Sequence, residues 1–580
     1  MSYRRTLVFL AIFLVLVAVY YFYEYKGAEA RKEAEEKEKL ILSFEPDEVT
    51  ALTLTKPDER IVIRREDDAW MIVEPVSGPA DANVVGQVLD TVSTLKYERD
   101  LGSQSELEPF GLSEPVAAVE VSSEGGAIGA VLAGDSTPDG SNFYVKRAGD
   151  NTVFTAAQSA KSRLDRTLFD LRDKTVVDFS IADVDELAIQ RGARRFTFER
   201  TEEGEWSMTS PEEHAADAGA ITSVLDAVRY GRVKSFVEEE AEDLTQYGLE
   251  EPQARIELVL DGETRSLSFG DTDKEAKLVY ARRDAQRQVV ALEAGILDKL
   301  SGELSDWRDK RLVRLERGKV EKLMLDSDSG RVTLARLEDK PGEWKMTEPA
   351  EAAADEDRVE GLLSELWRAR IIGFLASEEQ KEAAAAFEGP VIRVSIWGED
   401  GEAPEVVELA NPGDDSGAYA KIAKSGEIVQ VNPALLTALR VAPEELKDRS
   451  VLGFRAADVE RIELVKGEEE PVEIVRKDIE WKVPRELEAE SYEIDQLLWE
   501  LADLKYQTVE TKEKGKDYGL DSPVLTIRLW LKEAEAPVLL VAGKKTEKGT
   551  YYVRSNDEAA VMEADGSLID EWIGKMERAD

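Results

Sequence analysis

The sequence predicts an α+β protein of four tandem homologous domains, each an antiparallel β-rich sheet with two helices, behind an N-terminal transmembrane helix. Three observations carry this expectation. A tryptophan strand and turn recurs as Ala69-Trp-Met-Ile-Val-Glu-Pro75, Glu205-Trp-Ser-Met-Thr-Ser-Pro211, Glu343-Trp-Lys-Met-Thr-Glu-Pro349 and, shortened, Glu480-Trp-Lys-Val-Pro484. Its tryptophans, Trp70, Trp206, Trp344 and Trp481, lie 136, 138 and 137 residues apart. An apolar helical face follows each copy at the same offset, and Leu7 to Tyr23 holds no charged residue. A repeat of about 137 residues is of ordinary domain size and can bury its own core, so four beads are expected rather than one solenoid.

The totals narrow the partners. The 580 residues carry a formal charge of −46, which opposes phosphate backbones and argues against nucleic acid. The chain has no cysteine. That excludes disulfides, thiolate metal sites, a cysteine nucleophile and an acylated lipoprotein N-terminus.

Taken in order, residues 1–6 form a cytoplasmic N-terminus with Arg4 and Arg5, and residues 7–23 form the transmembrane helix, close to the short limit for crossing a bilayer. Tyr20, Tyr21, Phe22, Tyr23 and Tyr25 supply an aromatic belt on the far side. The two arginines before the span and the mixed-charge flank after it place the N-terminus in the cytoplasm and the repeats outside it. A cleaved signal peptide is the alternative, since Ala28-Glu29-Ala30 has the small-x-small form, although it stands behind bulky aromatics and two charges. Residues 24–43 read as a helical stalk, with Glu33–Lys37 and Glu35–Lys39 at the favourable i,i+4 order. Repeat domains follow at 44–179, 180–315, 316–454 and 455–580.

Within the first repeat, Val49 to Thr55, Arg60 to Arg65 and Trp70 to Val73 form a three-strand meander ended by Pro75. Asp81 stands at a helix N-cap, with Asp217 and Asp355 at the same step from their prolines and Glu490 in the shortened copy. Val85, Val88, Leu89, Val92 and Leu95 then share one helical face, matched by Ile221, Val224, Leu225 and Val228, by Val359, Leu362, Leu363 and Leu366, and by Ile494, Leu497, Leu498 and Leu501. A turn follows as Phe110-Gly-Leu-Ser-Glu-Pro115, Tyr247-Gly-Leu-Glu-Glu-Pro252 and Tyr518-Gly-Leu-Asp-Ser-Pro523, compressed in the third copy to Phe387-Glu-Gly-Pro390. Further strands end at Gly134, Gly270 or Gly543 or carry Tyr144, Tyr280, Tyr419 or Tyr552. A final amphipathic helix closes the unit at Leu171-Arg-Asp-Lys174, Trp307-Arg-Asp-Lys310 or Leu446-Lys-Asp-Arg449.

The Trp-to-Pro-to-Asp pattern, the Tyr-Gly-Leu-x-x-Pro turn and the Arg-Asp-Lys ending, behind one membrane helix, resemble the bacterial domain-of-unknown-function family 4340 from residue 44 onward. The resemblance implies an envelope protein encoded beside gliding-type ABC transporter components, with no catalytic residues to carry over. The third turn and the fourth Trp-to-Pro spacing depart from its pattern.

Candidate chemistry is sparse. The lone histidine, His214, falls in a polar loop, and no Gly-x-Ser-x-Gly surrounds a serine for it to activate. Asp271-Thr-Asp273-Lys-Glu275 and Asp326-Ser-Asp328-Ser-Gly330 hint at calcium loops but lack the terminal glutamate at the twelfth position. Gly543-Lys-Lys-Thr546 lacks the earlier glycine of a phosphate loop. The repeated tryptophans suit sealing a sheet against its helix better than stacking on sugars. Arg172-Asp173 and Arg308-Asp309 suit salt bridges between beads. The expectation is a non-enzymatic, membrane-anchored extracytoplasmic scaffold without catalytic, cofactor or metal residues, accessory to an inner-membrane complex of ABC transporter components. A cell-wall or polysaccharide binder is the first alternative and a carboxylate-based hydrolase the second.

Overall fold

The computed structural model describes residues 36–577, apart from 285, 338–339, 400–402, 412, 414–416, 511–515 and 557–559, together with Phe13, Val17 and Tyr21. The expected cytoplasmic end, all but three residues of the transmembrane span and most of the stalk therefore lie outside the described residues. Among the described residues no helix is long and apolar enough to cross a membrane. The chain forms two compact bodies, Met1–Asp309 and Lys310–Asp580, each holding two repeats.

Repeat 1 shows how the pattern folds. Strands β1 (Ala51–Thr55), β2 (Arg60–Glu66), β3 (Ala69–Glu74) and the short β4 (Gly78–Pro79) run outward as an antiparallel meander. The core helix Ala82–Thr94 carries the chain to the opposite edge, where β5 (Arg99–Ser103) forms. The chain then returns to β6 (Ala117–Ser123), which pairs with β1, and β7 (Gly126–Ser136), β8 (Asn142–Arg147) and β9 (Thr152–Ala157) run out to meet β5. The sheet order is β4-β3-β2-β1-β6-β7-β8-β9-β5. Repeats 2 and 3 reproduce this nine-stranded order.

Period-two alternation puts Leu52, Leu54, Ile61, Ile63, Phe143 and Val145 on one face, where they meet Val85, Val88, Leu89 and Val92 of the core helix. Each fully buried side chain of this size contributes about 1.5–3 kcal/mol. The other repeats have equivalent, separate clusters. The helix starts where expected. Asp81 Oδ1 accepts from the amides of Asn83 and Val84 at 3.0 and 3.2 Å, Asp217 from Ala220 at 2.9 Å and Asp355 from Arg358 at 3.2 Å. In repeat 4 the partners reverse, and the Glu490 amide donates to Glu493 at 2.7 Å. The peptide bonds before Pro75, Pro211 and Pro349 are cis.

The returning loop covers the sheet's other face. Tyr144 alternates with the core residues Phe143 and Val145, and Phe110 meets it edge-on at 5.0 Å. Tyr247–Tyr280 and Tyr518–Tyr552 repeat the contact at 5.1 Å.

One expectation needs correction, and repeats 3 and 4 depart from the shared fold where their sequences depart from the shared pattern. The closing helix is broken in repeats 1 and 2, into Gln158–Leu164 and Leu168–Leu171 and into Ile296–Lys299 and Leu304–Trp307. The cause is a fresh helix start: the Thr167 amide donates to Asp170 at 2.9 Å while Asp170 donates its amide to Thr167 Oγ1 at 3.1 Å, and the Glu303 amide donates to Asp306 at 2.8 Å. Only in repeat 4, among the described residues, is the closing helix one piece, Ser567–Glu577. The fourth sheet has eight strands because the shortened turn leaves no β4. In repeat 3 the compressed turn, residues 387–390, is preceded by a helix, Ser377–Ala383, that runs into a 3-10 turn, Ala384–Glu388.

Candidate functional site

Trp206, Trp344 and Trp481 are buried, and Trp70 is half-buried against its core. The three buried rings offer no face to a sugar. Each tryptophan has an arginine directly across the strand pair: Arg65, Arg200, Arg336 and Arg476. The guanidinium sits 4.8 Å from the Trp206 ring, 4.9 Å from Trp344 and 5.3 Å from Trp481. Arg200 also donates to the carbonyls of Ile181, Val184 and Gly204 at 3.0, 3.1 and 3.1 Å, and Arg336 donates to Val320 at 2.6 Å. The arginine thus ties the turn entering the first strand to the ring that seals the sheet. Hairpins of different length hide this pairing in the sequence, because the arginine precedes its tryptophan by five, six, eight and five residues.

His214 lies on a short strand, His214–Ala215, rather than in a loop. Its Nε2 is 3.2 Å from Glu212 Oε2. Asp273 Oδ1 accepts from the amides of Glu275 and Ala276 at 2.9 Å, Asp326 takes Arg331, and Asp328 takes Arg440 at 3.1 Å. Lys544 and Lys545 pair with Asp517 and Asp570. These groups brace hairpins, a loop and the closing helices of repeats 3 and 4. Among the described residues no three metal-ligating side chains converge. Repeat 2 forms two concavities, one of 680 Å³ against Ala218, Thr222 and Lys299 and one of 290 Å³ between Arg191, Arg194 and Ser301. Arg191 is held by Ser301 and Arg194 by Glu303.

The most elaborate polar constellation joins repeats 1 and 2. The outgoing segment of repeat 1 extends its sheet, with the Asp81 amide donating to Leu171 O at 2.9 Å and the Asp173 amide to Pro79 O at 3.0 Å. The incoming segment of repeat 2 is held by the Val233 amide on Lys174 O at 2.9 Å. Between the bridges Ala80↔Arg172 and Thr175↔Arg232 lie only Asp173 and Lys174, and Asp173 Oδ1 accepts from the Thr175 amide at 2.9 Å. The salt bridge expected of Arg172 forms with Glu239 of repeat 2, while the same guanidinium stacks 3.5 Å over Phe236. Gln288 donates to Glu239 at 2.8 Å. Arg172 is the main reason the Glu239 carboxyl is held below its ordinary range, against burial, and Gln288 adds to it.

The junction between repeats 3 and 4 is built alike. The Asp355 and Asp448 amides bond the carbonyls of Leu446 and Ala353 at 2.8 and 2.9 Å, and the Tyr506 amide bonds Arg449 O at 2.8 Å. Asp448 Oδ1 accepts from the Ser450 amide at 2.9 Å. Here the helix-capping Asp355 takes Lys505 of repeat 4 at 2.6 Å. Burial pushes the Asp355 carboxyl up, but Lys505 and the Arg358 amide outweigh it and hold it down.

A family model described as a domain of unknown function (DUF4340) matches the chain four times, over 70–213, 206–386, 344–509 and 481–575. Compared with curated proteins and with solved structures, the chain finds no match. Each family match opens on one of the four tryptophans, so the repeat is the family's unit, and the chain belongs to the DUF4340 family, as a tandem of four copies.

Proposed function

We propose that the protein is a membrane-anchored, single-pass scaffold whose repeats stand in the periplasm of the bacterial inner membrane, accessory to a gliding-type ABC transporter complex. The observation that carries this reading is the junction. Within each body, neighbouring repeats are joined across two residues with backbone hydrogen bonds on both sides and a charge pair between beads, Arg172–Glu239 or Asp355–Lys505. Such joints hold neighbouring sheets in a fixed relation, which suits an arm that presents surfaces. The charge-free run at 7–23 supports the anchor. In-cell crosslinking and mass spectrometry test the reading. The full chain co-purifies with inner-membrane transporter components, and detaching residues 1–43 weakens the association. Capture of soluble wall fragments alone, equally by a 44–580 fragment, puts the cell-wall-binding reading in its place.

A further inference from the structure

Repeat 4 differs from its siblings along one flank. In repeats 1 and 3 the strand that carries the tryptophan is covered by the next short strand and by the outgoing segment. In repeat 4 that strand, Glu480–Lys482, is the sheet edge. Beside it, the hairpin tip leaves Ile479 83% exposed. The core helix Ser491–Ala502 buries Ile494, Leu497, Leu498 and Leu501 but turns Tyr492 and Trp499 outward, 69% and 59% exposed. Seven residues apart, the two rings share one face, about 10 Å from each other along the axis. Counted from the N-cap, the same two positions hold Asn83 and Asp90, Gly219 and Asp226, and Asp357 and Ser364 in the other repeats. Strand edge and helix are continuous, because the Trp481 amide donates to Ser491 Oγ and its Nε1 to Asp495 Oδ1, both at 2.8 Å.

We infer that this flank of repeat 4, formed by Tyr492 and Trp499 of the core helix, is a docking surface for a segment of a partner protein that carries both basic and apolar residues. The inference rests on the scaffold reading and specifies it. Exposed aromatics grouped on a rigid element mark interaction surfaces, and Trp and Tyr dominate binding hot spots. Charge decides the partner. Residues 476–500 carry eight carboxylates against four basic side chains, so although Lys575 pairs with Glu493 and Arg476 with Asp495, this flank stays net acidic in a chain of net charge −46. That field repels a second copy and attracts lysine and arginine, which also stack on indole and phenol faces.

The test places a photo-crosslinking amino acid at Gln496 of the full-length protein in cells, on the same helical face, with Gln87 of repeat 1 as the matched control. The expected result is a crosslinked peptide of net positive charge from one protein. Its yield falls about tenfold in the Tyr492→Ser/Trp499→Ser variant, as for loss of a hot spot, while the melting curve is unchanged. An undiminished yield in that variant, an acidic peptide, a glycan adduct or equal capture at Gln87 overturns the proposal. If transporter components still co-purify with the double variant after such a result, the scaffold reading survives and this surface alone is wrong.

Discussion

Trp206 fills the space between the sheet and the core helix of repeat 2 and lies under Arg200. Trp206→Ala therefore lowers the stability of that repeat by about 3–5 kcal/mol, the range for truncating a buried aromatic. Trp70→Ala, at a half-buried ring, lowers it by less. Hydrogen exchange resolved by repeat in the full chain reads both, and a loss well under 1 kcal/mol for Trp206→Ala would contradict the structural role. A second residue-scale device is a pair of glycines. A Cβ on Gly270 would lie 2.0 Å from Tyr247 O, and one on Gly248, which has a positive φ, would lie 2.8 Å from the Asp271 amide. Gly134 with Gly111 and Gly543 with Gly519 repeat the arrangement. Repeat 3 has lost both members together, with Ala410 in the strand and no left-handed glycine in the turn. Gly270→Ala should cost about 1–3 kcal/mol through overpacking. Gly389→Ala, whose nearest neighbour is 3.8 Å away, should stay within about 0.5 kcal/mol. Equal melting shifts for the two would contradict the interlock.

At the scale of elements, the sequence showed what local chemistry decides. Period-two strands, the Asp81, Asp217 and Asp355 caps and the four helix faces were legible because each depends on residues within a turn or two of one another. The glycine partnership was not, because Gly134 and Gly111 meet only after the returning loop crosses the sheet. The break in the closing helix was half-legible: Thr167-Leu-Phe-Asp170 carries a capping-box pattern, but helical periodicity runs through it. The candidate surface on repeat 4 was hidden by its own helix, whose apolar face matches the others and draws the eye from Tyr492 and Trp499. Junction electrostatics give a prediction at this scale. The folded Glu239 carboxyl titrates below its ordinary 4.5, so its contribution is fully present above that pH and is lost as pH falls through the folded value. Acidification below 4.5 should raise hydrogen exchange around Phe236 and Thr175. The Glu239→Gln variant should lose that pH dependence, and an identical profile in both proteins would remove Glu239 from the account.

At the scale of the molecule, stability in a tandem array depends on each repeat and on the interface between neighbours. Repeats 1 and 2 share an unusual interface, because the chain leaves one sheet edge and joins the next after two residues. Opening of repeat 2 should release the Val233 amide from Lys174 O and, across the two residues between the bridges, disturb the Asp173 amide on Pro79 O and the Asp81 amide on Leu171 O. The amides of Asp81 and Val233 should therefore exchange in one cooperative opening, although they belong to different repeats. Inserting a short Gly-Ser segment between Asp173 and Lys174 leaves both cores intact but removes this mechanical path, since such linkers behave as flexible coil. The expected outcome is two separate openings, with Val233 exchanging independently of Asp81, and a weaker association with inner-membrane components as the fixed relation between beads is lost. Independent exchange of these two amides in the unmodified chain would mean that repeats 1 and 2 are loosely strung, and the reading of a fixed joint between them would fail with it.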